Sequence, residues 1–326
     1  MSLPGGPVDD FLHQRIPPAV WHYTSLEGLQ GILSSNAVWA TDARFTNDTT
    51  EFIHAKDVAM DFLDKFRPVD KEEEWVGQQV RESVVESFAS GVMSSAVTEI
   101  YLASFSAIAD LKSQWDMYAD QSRGVSLAFN LASVRPPREF AIAATVGPCL
   151  YTQDEKVRIV EAALRHFLNT SATLLRYSSS RQRVAGDLRT YQVIQRIGGL
   201  IPSREDFLEL MREKQTEVLA LAKKFTDFDL LRIAAHCKHE GFREEKEWRL
   251  ALSRLVNKPL GVIQLKYRGP KNVPYVASNL FQDSGRLPIT RVMLGPLCNA
   301  EKVISEILKA TGYDIPIEKS SIPLRR

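Results

Sequence analysis

The stretch Gly241-Phe242-Arg243-Glu244-Glu245-Lys246-Glu247-Trp248-Arg249-Leu250 decides how this chain is read. From Trp248 onward apolar residues fall at every second position (Trp248, Leu250, Leu252), the period of a strand with one buried face. Glu245 and Glu247 stand at the mouth of that alternation. If both belong to the strand, they project from one face roughly 7 Å apart. Two carboxylates that close suit work on a developing positive charge. The plainer alternative is a solvated strand face on which Glu247 pairs with Arg249, an arrangement worth roughly 0–1 kcal/mol.

The chemistry open to such a pair follows from leaving-group charge. Hydrolysis of an ordinary sugar needs a second acid to protonate the departing oxygen. A leaving group that is already cationic, such as the nicotinamide of NAD, departs neutral and needs none. Glu247 would then stabilise the sugar cation and hold a ribose hydroxyl, while Glu245 would orient or deprotonate an acceptor. No metal is required for this step. The spacing suits glycosidic transfer from a nicotinamide nucleotide without demanding it.

Toward the amino terminus, residues 1–16 are rich in Pro and Gly and read as a flexible arm. Val20–Tyr23 reads as a strand. Thr24 and Glu27 form a capping box for a helix whose apolar stripe is Leu26, Leu29, Ile32 and Leu33. Asn36 ends that helix, and Ala37–Thr41 returns as a strand. His22, Tyr23 and Thr24 therefore stand where a strand ends and a helix begins, beside unpaired helix amides, a common place for ligands. Taken alone, a histidine in a strand is more often structural.

Residues 51–98 read as helices with a charged break at 70–74. Tyr101–Ser106 is a strand, and Asp110 caps a short helix carrying Trp115 and Tyr118. Val125–Phe129 is a strand, with another near Phe140–Val146. Ser104 and Ser106 offer hydroxyls to a ribose, and Trp115 or Tyr118 offers a ring to a pyridinium, an attraction of about 1–2 kcal/mol when desolvated. The competing reading is a core strand and a helix that buries its tryptophan. Residues 154–240 read as helical, with breaks at 178–180, 198–199 and 202–203. Strands resume at Trp248–Leu252, Leu260–Tyr267, Tyr275–Ala277 and Ile289–Leu294, before a final helix at Ala300–Thr311. The expectation is an α+β fold: one domain over 17–326, with a helical insertion at about 154–240.

The totals exclude several classes. The chain has 326 residues, 44% hydrophobic and 25% charged, as ordinary globular proteins do. A net charge of +1 gives little support to a nucleic-acid platform, although Arg176–Arg189 and Ile322–Arg326 are locally basic. Three dispersed cysteines, Cys149, Cys237 and Cys298, imply no disulfide framework. With neither a signal-type start nor a long apolar run, the expected location is the cytoplasm. His236-Cys237-Lys238-His239 has the look of a metal cluster but lacks a second ligand pair. Walker, dinucleotide and nucleophile-elbow patterns are missing.

Three stretches together resemble a bacterial family known only as domain of unknown function 2971. They are Trp21-His22-Tyr23-Thr24 through Trp39-Ala40-Thr41 with Asn47-Asp48 and Glu51; then Ser104-Phe105-Ser106 with Trp115, Tyr118-Ala119, Gly124-Val125 and Phe129; then Lys238-His239, Gly241-Phe242 and Glu245-Lys246-Glu247-Trp248-Arg249. More loosely, the pattern is similar to the ADP-ribosyltransferase fold. That resemblance implies a split, mostly antiparallel sheet and NAD as substrate. It implies that His22 holds the adenosine-side ribose, that Ser106 or Tyr118 supports the nicotinamide end, and that Glu247, with Glu245 beside it, carries the chemistry. Tyr23, Thr24 and Ser104 join the NAD-binding set. The expected activity is transfer of ADP-ribose to a macromolecular acceptor, protein or nucleic acid. Its implied setting is toxin, effector or phage-defence biology, in which an immunity partner is expected. An NAD glycohydrolase and a catalytically silent nucleotide- or nucleic-acid-binding module stand as alternatives.

Overall fold

The computed structural model describes residues 7–12, 16–46, 51–87, 98–131, 144–179, 229–255, 263–268, 271–278 and 285–324. The helix breaks expected at 198–199 and 202–203, most of the basic segment 176–189, and Asn47-Asp48 lie outside them. The chain divides into two compact units.

The first unit comprises Met1–Leu12, Asp48–Val97 and Leu150–His239 and is helical where described. Its described helices include α1 (Pro7–Leu12), α3 (Glu51–Lys65), α4 (Lys71–Ser87) and α6 (Gln153–Ser179). The break between α3 and α4 falls at 66–70, and the acidic run 72–74 opens α4, where carboxylates favour the helix dipole. α6 packs against α1, α3 and α4.

The second unit, His13–Asn47, Thr98–Cys149 and Glu240–Arg326, carries a ten-stranded sheet among the described residues. The strands are β1 (Val20–Thr24), β2 (Val38–Asp42), β3 (Thr98–Ser106), β4 (Val125–Phe129), β5 (Ala144–Pro148), β6 (Glu247–Leu255), β7 (Ile263–Arg268), β8 (Lys271–Ser278), β9 (Ile289–Leu294) and β10 (Ile317–Lys319). Their order is β10-β9-β4-β1-β3-β2-β8-β7, with β6 pairing β3 and β5. Every pairing is antiparallel except β9 with β10.

β3 organises the sheet. One of its edges pairs with β6 along its whole length, from Thr98↔Leu255 to Ser106↔Glu247. The other edge is shared: β1 meets it at Ser106, β2 at Leu102 and Tyr101. The sheet therefore forks between β1 and β2, beside residues 103–105.

Alternation fixes the two faces. Val20, Phe105, Leu127, Phe129, Trp248, Leu250 and Leu252 belong to the main apolar cluster, with Leu29, Ile32 and Leu33 from α2 (Leu26–Ser35) and Ile304 and Leu308 from the helix Glu301–Ala310. Trp21, Tyr23, Ala128 and Met293 lie on the other face with Trp115 and Ala119 at α5 (Lys112–Tyr118). The α2 cap differs from the expected box. Ser25 accepts from Gly28 N at 3.1 Å, because Thr24 is still in β1, paired with Val125. Asn36 ends α2 in the left-handed conformation at φ 47°, as its small polar side chain permits.

Candidate functional site

The acidic segment starts from a turn. A 3-10 turn covers Glu240–Glu245, Lys246 adopts φ 41°, and Glu247 is the first residue of β6. Glu245 therefore does not share a strand face with Glu247. The left-handed residue between them breaks the alternation on which that expectation relied. Two bonds from the end of β3 hold the turn: Ser106 Oγ donates to the Glu245 carbonyl at 2.7 Å, and Ala107 N donates to the Lys246 carbonyl at 2.9 Å. A left-handed lysine is costly enough to persist only where its surroundings fix it.

Both carboxylates are buried, each 4% exposed. Tyr118, on α5, donates its hydroxyl to Glu245 Oε1 at 3.3 Å. Glu247 meets Arg249 in a two-pronged bond, Nε to Oε1 at 2.8 Å and Nη2 to Oε2 at 3.3 Å. Arg249 is itself 2% exposed, so this is a dry ion pair and not the solvated one that the plainer reading allowed. Losing one partner of such a pair leaves a buried charge uncompensated, at about 3–5 kcal/mol.

Register places the other expected residues. Directly opposed residues of an antiparallel pair share a face. Trp21, Ser106 and Glu247 consequently form one row across β1, β3 and β6. His22 belongs to the opposite face: it opposes Leu127 across β1 and β4, and its ring lies 5.6 Å from Phe105 and 6.5 Å from Phe129. Its Nδ1 lies 2.9 Å from the Ser104 carbonyl, an acceptor only, so Nδ1 carries the proton and the ring fills the fork of the sheet.

Tyr23 is buried and its hydroxyl serves the backbone, donating to Ile108 O at 2.9 Å and accepting from Leu111 N at 3.1 Å. Burial pushes that hydroxyl's pKa up. Thr24 lies against close-packed backbone, since a Cβ on Gly124 would fall 2.2 Å from the Thr24 carbonyl oxygen. Ser104 is exposed. The structure thus gathers Glu245, Glu247, Ser106 and Tyr118 into one cluster, adds Arg249 to it, and sets His22 on the other face at the fork. Arg249 was missed as a site residue, although its i+2 relation to Glu247 is legible in the strand alternation.

Asp110 does not cap α5. Leu111 occupies the N-cap without a side-chain bond, and the Asp110 carboxylate instead accepts from the Trp115 indole at 2.6 Å. In the helical unit, the His236 ring stands edge-on to Phe11 at 6.2 Å, and the rings of His54 and His239 are 6.4 Å apart. Among the described residues no helix is long and apolar enough to cross a membrane, and no group of three or more His, Cys, Asp or Glu is placed to hold a metal ion.

These features define a mixed α/β protein with a largely antiparallel open sheet and a buried acidic cluster at the head of an inner strand. The family described as "Protein of unknown function (DUF2971)" matches residues 114–250. The match takes in Trp115, Tyr118 and the segment Glu245–Arg249; the stretch around His22 and the strand bearing Ser104 and Ser106 lie outside it. No curated protein and no solved structure matches the chain.

Proposed function

We propose that this protein transfers ADP-ribose from NAD to a macromolecular acceptor, with Glu247 as the carboxylate that faces the ribose cation. The observation that carries the reading is the row Trp21–Ser106–Glu247, in which Glu247 opens a strand beside Ser106 while Glu245 stands buried two residues before it. The glycosidic bond between the ribose C1′ and the nicotinamide nitrogen breaks, and its electron pair neutralises the pyridinium. A nucleophilic atom of the acceptor bonds to C1′, and its proton passes to Glu245. Tyr118 orients Glu245 through its hydroxyl. Arg249 holds Glu247 until substrate arrives, so the reaction requires that pair to open. His22, on the other face, serves this reading only where the fork of the sheet admits the adenosine end.

A second reading rests on the same ion pair. A carboxylate tied to Arg249 in a dry environment is also what a fold retained for binding, without catalysis, would keep. Purified protein with labelled NAD and a cell lysate separates the two, with wild type run beside Glu247→Gln. Label on a macromolecule with wild type alone supports transfer. Free nicotinamide without transferred label assigns the site to a glycohydrolase. No turnover with either protein, together with NAD binding, leaves the binding module.

A further inference from the structure

α5 is seven residues long and has no side-chain N-cap, so its place depends on tertiary links more than on its own propensity. Those links converge on Asp110. Its Oδ1 accepts from the Trp115 indole and from the Ser320 hydroxyl, both at 2.6 Å. Its Oδ2 accepts from the Ser321 amide at 2.7 Å and the Ser321 hydroxyl at 2.9 Å. Ser320 Oγ in turn accepts from Ile322 N at 3.1 Å, and Ile322 packs on the cluster that holds Trp21, Tyr23 and Trp115, where Tyr118 also rests. One carboxylate thereby joins the base of α5 to a segment 210 residues away in sequence. Trp115 is fully buried, and Tyr118 follows it by three residues, on the same side of the helix. The Tyr118 hydroxyl in turn donates to Glu245 Oε1.

We propose that residues 320–322, clipped by Asp110, form a strap that positions Tyr118 against Glu245, so that release of the strap loosens the acidic cluster. Asp110 is a positioning residue in this scheme, since it touches neither carboxylate of the cluster. The proposal rests on reading Glu245 as part of the site. Burial works against the Asp110 carboxylate, but bonds from Ser320, Trp115 and Ser321 outweigh it and hold its pKa below the ordinary aspartate value, in keeping with a carboxylate satisfied by four donors.

Hydrogen exchange read by mass spectrometry on the full chain tests the strap in wild type, Asp110→Asn and the double variant Ser320→Ala/Ser321→Ala. The double variant keeps Asp110 and its bond to Trp115, so it separates strap release from local misfolding. Loss of these charge-assisted bonds should speed exchange at 112–118 and 245–247 about tenfold or more, while the centre of β4 stays protected. Faster exchange confined to 320–324, or no change, would overturn the proposal. A parallel NAD-turnover assay keeps the two claims apart. If wild type turns NAD over, the double variant should lower kcat with KM held within about twofold. If wild type is inactive, the catalytic reading falls while the exchange result still decides the strap.

Discussion

The two edges of β3 invite comparison. Toward β6 the pairing runs unbroken over nine opposed residues, and a buried ion pair sits at its end. Toward β1 and β2 the pairing is interrupted, and a histidine bonded to the Ser104 carbonyl stands where a strand residue would otherwise pair. One edge is stabilised by continuous backbone bonding, the other by side chains serving backbone groups: His22 for Ser104, Tyr23 for Ile108 and Leu111. Polar side chains are needed most where a regular ladder stops, because buried backbone groups there must still find partners. Both irregular ends, the fork and the Glu245–Glu247 turn, meet at the last residues of β3.

The largest effect is expected on the continuous edge. Arg249→Met should cost about 3–5 kcal/mol in urea-induced unfolding, because the buried Glu247 carboxylate loses the guanidinium that faces it. Adding Glu247→Gln to that variant should recover most of the loss. Wild-type stability in the single variant would mean that the β6 edge does not depend on the pair. On the forked edge, Tyr23→Phe should cost about 1–3 kcal/mol by the same measurement, since the Ile108 carbonyl and Leu111 amide each lose a partner. A smaller value would make the fork as tolerant as an ordinary loop.

A gain of up to about 1 kcal/mol is expected from Lys246→Gly, as glycine meets no steric penalty at φ 41°. If stability falls instead, lysine contributes contacts that outweigh the strain. The smallest effect concerns pH. The folded pKa of Asp110 is lowered, so its contribution is present above the ordinary aspartate value of 3.8 and is lost as pH falls through the lower folded value. Unfolding midpoints followed from neutral pH down to acid should therefore drop less steeply in Asp110→Asn than in wild type. Equal slopes would detach Asp110 from the acid response.

Much of the fold was legible because it is local. β1, α2 with Asn36 at its end, β4 and β9 follow from apolar periodicity and from the turn residues beside them. The errors came where a distant partner decided the outcome. Asp110 carries the sequence signature of a helix cap, but its oxygens are engaged by Trp115, Ser320 and Ser321, and no local pattern announces residues that far along the chain. β10 went unread because Ile317–Lys319 is too short to show a period. The acidic pair was found by spacing, yet its geometry was not, since nothing in Glu-Lys-Glu signals a left-handed lysine. The link to Arg249 was foreseen as a surface pair. Its burial depends on how the sheet is covered, which strand alternation alone does not reveal.

Because β1 and β2 are joined to β3 at separate points and not to each other, the sheet resembles two leaves bound to one spine. A twist applied to the leaf β1–β4–β9–β10 reaches the leaf β2–β8–β7, as far as hydrogen-bonded strands are concerned, only through β3. A load borne by His22 would reach that spine near the end where Ser106 grips the turn of the two acids.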